Sequence, residues 1–160
     1  MIHPMKFTCD DNLGKLAKWL RTLGYDTLFS PDIEDTELVS RALKENRIIL
    51  SRDRELKRFV SAEKNLLLLS SNQPLEQLKQ VLKRYDLKPE EKNLSTRCLV
   101  CNQVLVSAPK KEVENKVPPF VFKNQDNFVY CSICDKYYWG GTHVKNLKKK
   151  IIQENLIKNL

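Results

Sequence analysis

Four aspartates and two pairs of cysteines are the residues here whose types and spacing can do chemistry. Asp10 and Asp11 follow the apolar run Met5-Lys6-Phe7-Thr8-Cys9, and Asp53 follows Ile48-Ile49-Leu50-Ser51-Arg52. Asp35 stands where a helix begins after Tyr25-Asp26-Thr27-Leu28-Phe29. Short apolar runs bounded by charge suit strands covered on both faces. The carboxyl ends of parallel strands share one edge, and ligands bind in the crevice there. Pattern alone therefore brings Asp10, Asp35 and Asp53 towards one crevice. Carboxylates a few ångströms apart repel and cannot all stay ionised without a cation. Oxygen donors of this kind suit a hard divalent ion, Mg²⁺ or Mn²⁺. Such an ion can activate water and stabilise charge on a phosphodiester. In this reading Asp10 and Asp53 hold the metal directly, and Asp35 holds a second ion or orients the water. Lys15, Arg21, Arg52 and Arg54 are expected to steer and clamp backbone phosphates. The plainer reading is that Asp11, Asp35 and Asp53 are helix caps, a common place for aspartate. Asp10 is the hardest of the four to explain that way.

The cysteines make a second constellation. Cys98-x₂-Cys101 and Cys131-x₂-Cys134 are two metal-ligand pairs beside strand-like residues. Four thiolates suit tetrahedral zinc and leave no position for water, which predicts a closed structural site. The pairs stand further apart than the usual spacing of about 15–20 residues, so a loop inserted around Pro118-Pro119 is implied. A redox dithiol explains one pair and not two. Cys9, the fifth cysteine, sits in a strand and reads as buried filler. Tyr130, Tyr137, Tyr138 and Trp139 are suited to stacking on bases or to packing round a small metal core. His143 reads as solvated.

The elements that must position these residues alternate. Strands at Met5–Cys9, Tyr25–Phe29, the Ile48 run and Asn65–Leu69 each precede a helix. The first helix, Leu13 to Leu23, carries Leu13, Leu16, Ala17, Leu20 and Leu23 at helical spacing, and Gly24 follows where a left-handed residue is wanted. Asp35 caps the second, with Leu38, Val39, Ala42 and Leu43 as its stripe. A short third carries Leu56, Phe59 and Val60. Pro74 opens the fourth, with Leu75, Leu78, Val81, Leu82 and Tyr85 inward. This order predicts an α/β fold, a parallel sheet flanked by helices with right-handed crossovers. The polar stretch Lys88–Asn93 reads as a linker. The expected units are an α/β domain over 5–87, a zinc ribbon over 94–143 and a basic C-terminal helix over 144–160.

The 160 residues carry a net charge of +8. That balance favours a polyanionic partner, nucleic acid before membrane. No stretch approaches the roughly 20 apolar residues of a membrane span, and no N-terminal run reads as a secretory signal. A reducing, cytoplasmic location is the expectation, and there paired cysteines are metal ligands more often than disulfides.

Several stretches together resemble the Mut-seven C-terminal RNase domain family. They are Asp10…Leu13-Gly14-Lys15-Leu16-Ala17-Lys18-Trp19-Leu20-Arg21, Asp35-x-Glu37-Leu38, Ile49-Leu50-Ser51-Arg52-Asp53-Arg54-Glu55-Leu56, Arg97-Cys98-x₂-Cys101-Asn102 and Tyr138-Trp139-Gly140-Gly141-Thr142-His143. The resemblance runs from about Lys6 to His143. It implies a PIN-like nuclease fold joined to a zinc ribbon, metal-dependent cleavage of RNA, acidic roles for Asp10, Asp35 and Asp53, and zinc on the four paired cysteines; single-stranded RNA is the expected partner. Asp11-Asn12 and Ser51 depart from the family's usual residues, Ser51 replacing a common threonine. A fourth acid would come from Glu37, Asp32 or Glu55. Two other readings stay open on the residues alone. A phospho-receiver domain fits Asp10-Asp11 and Asp53 but lacks a later strand ending in lysine. An RNA-binding adaptor fits the ribbon and the basic tail, with the acids as caps.

Overall fold

The computed structural model describes residues 5–59 and 65–157. The expected frayed start at Met1–Pro4, Val60 of the short helix and the last three residues of the tail lie outside them.

Four short strands, β1 (Lys6–Cys9), β2 (Asp26–Phe29), β3 (Ile48–Ser51) and β4 (Leu66–Leu68), form one sheet in the order β2-β1-β3-β4. Every pairing is parallel, with Phe7 opposite both Thr27 and Ile48, and Leu50 opposite Leu67. Helices α1 (Gly14–Thr22), α2 (Asp35–Lys44) and α3 (Pro74–Arg84) connect or follow the strands. Alternate residues of a strand point to opposite faces, and the core divides accordingly. Phe7, Cys9 and Leu50 pack with Leu16, Ala17 and Leu20 of α1 and Leu78 and Val81 of α3. Ile49, one residue from Leu50, packs on the other face with Leu38, Val39 and Ala42 of α2 and with Leu56. The predicted stripe of α1 is fully inside, from Leu13 to Leu23. The stripe of α2 is narrower than expected. Leu43 turns away from Ala42 by about 100° of helix and stays 53% exposed. Phe59 likewise stays at the surface, under the guanidinium of Arg58.

Two glycines answer to close approaches. Gly24 has φ +90° after α1, as its place beyond the last turn predicted, and a Cβ there would lie 2.5 Å from the Asn93 carbonyl. Gly14 lets the start of α1 rest on the Phe29 ring, which a Cβ would meet at 2.9 Å.

The second unit is a three-stranded antiparallel sheet, β5 (Val106–Ala108), β6 (Phe128–Cys131) and β7 (Lys136–Trp139). Val104, just before the first of these, makes only an isolated bridge with Arg97. Short helices α4 (Lys110–Val113) and α5 (Pro119–Asn124) fill the insertion between the cysteine pairs. The core of this unit is small: Ala108, Val113 and Phe128, with Val117, Val121, Tyr137 and Trp139 round it.

The last helix, α6 (Thr142–Gln153), returns to the first unit. Ile151 is fully buried in the α1–α3 core, with Leu147 and Leu156 packed against it. Lys79 of α3 bonds Glu154 beyond the helix end at 2.8 Å. The basic stretch is thus a docked helix and not a trailing tail.

The cysteine knuckle is fastened to β2, an edge strand whose unpaired backbone needs partners. The Thr27 amide donates to Asn102 Oδ1 at 3.0 Å, and the Thr27 carbonyl accepts from Arg21 Nε at 2.8 Å. Asn102 Nδ2 also donates to Asp26, which Arg47 holds at 2.7 Å. Burial works to raise the Asp26 carboxyl, and these bonds outweigh it and leave it below the usual carboxylate range. Asn102→Ala strands a buried amide and weakens this cluster. The expected cost is about 2 kcal/mol, read as a lower urea midpoint with an unchanged slope.

Candidate metal centre and acidic edge

The two cysteine pairs meet in space. Cys98, Cys101, Cys131 and Cys134 bring four Sγ atoms within 4.8 Å of one another. Two of the separations are 3.8 Å (Cys98–Cys134) and 3.4 Å (Cys101–Cys131). A tetrahedral thiolate site with metal–sulfur bonds of about 2.3 Å places sulfurs about 3.8 Å apart. These distances fit that site and are too long for disulfide bonds. The turn at Cys98–Cys101 supplies one pair, and the β6–β7 hairpin supplies the other. Asn102, with φ +71°, ends the first turn, and its amide donates to the Cys98 carbonyl at 2.9 Å. The thiols differ sharply. Burial alone would raise Cys98, but hydrogen bonding to the Tyr138 hydroxyl at 3.1 Å and to knuckle amides outweighs it and brings the thiol down to about 6. Cys134 is pushed up to about 12 by its hydrogen bonding with Cys101 and by burial. Four crowded sulfurs cannot all ionise unaided, which is the condition that a bound cation relieves. Cys9 is fully buried, and burial pushes its thiol far up, as a filler role requires.

The acids lie at the other end of the sheet. The order β2-β1-β3-β4 reverses direction between β1 and β3, and that switch point opens a crevice at the carboxyl ends. Asp10 directly follows β1 there, and its amide donates to the Leu50 carbonyl of β3 at 3.0 Å. Asp10 is 5% exposed. One oxygen accepts from the Asp11 amide at 2.8 Å and the other from Ser51 Oγ at 2.5 Å. Ser51 Oγ in turn accepts from the Asp53 amide at 2.9 Å. Ser51, fully buried, therefore ties the Asp10 side chain to the backbone of Asp53. Asp53 itself is exposed and caps the 3-10 turn Arg54–Arg58, accepting from the Glu55 amide at 2.8 Å.

Asp35 opens α2 but does not cap it. Glu34 holds the cap position, and Asp35 is the first helical residue. Asp11 is not a cap either, since Leu13 takes that place before α1 and no side chain caps it. The Asp35 carboxyl is raised, first by burial and then by the negative charges of Asp10, Asp53 and Glu34. The fields of Asp10 and Asp53 thus both reach Asp35. Among the described residues, however, only the cysteines come close enough to form one ligand cluster. Of the suggested fourth acids, Glu37 pairs with Arg41 and Glu55 with Arg58.

The expected phosphate contacts divide. Lys15, Arg52 and Arg54 are exposed. Arg21 is not available: it is 3% exposed, and its guanidinium donates to the Thr27, Leu99 and Val100 carbonyls. It falls on the buried side of α1 and binds the knuckle to the sheet. Reading residues by charge alone missed this, although its spacing from Ala17 and Leu20 places it beside the apolar stripe. Ser51 and Asn102 were also missed as positioning residues. The sequence signal for each was its place in a motif beside a candidate ligand, Ser51 two residues before Asp53 and Asn102 directly after Cys101.

Residues 5–151 match the family model described as the Mut7-C RNAse domain. No curated protein matches the chain. No described helix is long and apolar enough to cross a membrane.

Proposed function

The chain belongs to the Mut7-C RNAse domain family, and from that premise we propose that it is a metal-dependent ribonuclease acting on single-stranded RNA. The observation that carries the proposal is geometric. At the carboxyl ends of β1 and β3, Ser51 Oγ donates to the Asp10 carboxylate and accepts from the Asp53 amide, and the charges of both aspartates help to raise the Asp35 carboxyl, as acids do where a cation is to be held. Asp10 and Asp53 would hold Mg²⁺ or Mn²⁺, with Asp35 holding a further ion or orienting water. The donor chemistry fits, because all three offer hard oxygen, and each Asp10 oxygen spends one hydrogen bond among the described residues. When bound, the ion supplies Lewis acidity and an activated water. The chain's own residues do the rest. Ser51 fixes the Asp10 carboxylate, and the capping bond fixes the Asp53 side chain. Lys15, Arg52 and Arg54, exposed around the crevice elements, bind phosphates.

The four thiolates are read as a structural zinc site, closed by protein ligands alone. No position on that ion is left for water, so its part is to hold the ribbon against β2. A cytoplasmic, reducing setting goes with free thiols of this kind.

The test is hydrolysis of end-labelled single-stranded RNA by the zinc-loaded wild-type chain in Mn²⁺, with the same chain without added Mg²⁺ or Mn²⁺ as control. Absence of products with every divalent ion tried would falsify the proposal. A second outcome concerns Ser51. Ser51→Ala leaves a buried carboxylate oxygen without its donor and is expected to lower cleavage about 10–100-fold. Ser51→Thr keeps the hydroxyl and restores most of the rate. Equal losses in both variants would show that packing, and not the hydroxyl, matters at this position.

A further inference from the structure

We propose that the seam between α1, α3, the cysteine knuckle and α6 is the track along which the RNA strand leaves the acidic crevice. Trp19 is its base platform, and Lys15, Lys18 and Lys150 are its phosphate contacts. This inference rests on the reading of the protein as one that acts on RNA.

A cleft of about 600 Å³ opens along this seam, lined by the three lysines, Trp19, Leu75 and Leu147 among others. None of its lining residues is acidic, although the chain holds 20 aspartates and glutamates. Among the described residues, the ion pairs use other cations and leave Lys15, Lys18 and Lys150 out. Three ammonium groups thus gather in a concave surface whose own lining holds no acid and outside any ion pair among the described residues, which is the complement of a polyanion.

The cleft runs on towards the carboxyl end of β1. A second hollow, of about 530 Å³, shares Lys15, Lys18 and Pro74 with it and reaches Asp11 and Gly14 just beyond β1. A third, of about 280 Å³, shares Thr22, Leu99 and Leu147 and carries the groove on to Arg97 and Lys148. A strand bound across Asp10 therefore has a basic path along α1 towards the ribbon.

Single-strand sites combine a basic groove with an aromatic face on which any base can stack. Trp19 is half-buried on this groove, so its ring is anchored and also accessible. The Lys150 ammonium lies 5.9 Å from the ring centroid, at the outer limit of a cation–π contact. From there it can meet the phosphate of a nucleotide stacked on the ring. Lys150 is held in this place by the burial of Ile151, its neighbour on α6. The C-terminal helix thus completes a groove that the first unit alone only half forms.

The test uses the full, zinc-loaded chain and a fluorescein-labelled oligouridylate of about ten nucleotides, with no added Mg²⁺ or Mn²⁺ so that it is not cut. Lys18→Ala with Lys150→Ala removes two exposed charges, and the dissociation constant is expected to rise about tenfold. The salt slope of binding should fall by about 1.4, or about 0.7 for each lost phosphate contact. Unlabelled oligouridylate should quench indole fluorescence in the wild type, and Trp19→Phe should lose most of that quenching. An unchanged dissociation constant and slope in the lysine variant overturn the track, and unchanged quenching in Trp19→Phe overturns the base platform. Cleavage in Mn²⁺ is scored separately. A wild type that does not cut, beside a double variant that loses binding, supports the groove and overturns only the nuclease reading. A wild type that cuts, beside a double variant that binds normally, does the reverse.

Discussion

Replacing Asp53 by asparagine is expected to lower Mn²⁺-dependent RNA cleavage by on the order of 10²–10³-fold while leaving the fold intact. The two halves of that expectation have separate causes. Asparagine caps as well as aspartate, so the bond from the Glu55 amide survives and the 3-10 turn after β3 keeps its start. What is lost is a full negative charge at the switch-point crevice, and with it a ligand for a hard cation. Removing one preorganised charge-stabilising group typically costs a rate factor of that order. The Asp35 carboxyl should also respond. It is raised in part by the charge of Asp53, so in the metal-free variant its titration should move down towards the ordinary aspartate range. Carboxyl NMR through the acid range reads that shift, and end-labelled RNA reads the cleavage. A variant that cuts as fast as the wild type removes Asp53 from the mechanism, and an unmoved Asp35 titration removes the charge coupling.

The largest expected effect on structure comes from the thiolate site. Cys101→Ser, or stripping the metal with a strong chelator, should unfold the ribbon and loosen β2. Structural zinc in small domains contributes about 10–16 kcal/mol at neutral pH, and here the remaining core is three buried side chains with a few half-buried neighbours. The ribbon has little else to hold it. Its loss would free Asn102 and Arg21 from Thr27, so hydrogen exchange should speed up at the Thr27 amide as well as across 97–139. Metal content by mass spectrometry should fall from about one ion per chain to none. Slow exchange at Thr27 after the metal has gone would overturn this dependence.

Acid should act in the same direction as chelation, and the sign follows from the thiols. Metal binding requires thiolates, so protons compete with it. Without metal the ribbon is unfolded, so its thiols return to the ordinary cysteine value of about 8.5 and carry their protons at neutral pH. Each thiolate that binds therefore displaces about one proton, and affinity falls steadily as the pH is lowered. Calorimetric titration in buffers of different ionisation enthalpy counts those protons.

Much of this protein follows from local sequence. The apolar spacing of Leu13, Leu16, Ala17, Leu20 and Leu23 determines which face of α1 is buried, because a helix turns about 100° per residue whatever it packs on. The Ile-Ile-Leu run fixes a strand covered on both faces, and the Cys-x₂-Cys pairs fix two half-sites for one metal. These are short-range properties. Placing Asp10 beside β3 was not one of them: it depended on the strand order β2-β1-β3-β4, which puts the switch point between β1 and β3. The roles of Ser51, Arg21 and Asn102 were decided the same way. Each is a polar residue of ordinary type, and only the assembled chain shows whether its hydrogen bonds go to water or to a distant backbone. Arg21 reads as a phosphate contact by charge and becomes a strut because the knuckle, some 80 residues on, brings it two carbonyls at Leu99 and Val100. Buried polar groups must find partners, and in a chain those partners are set by topology rather than by neighbours in sequence.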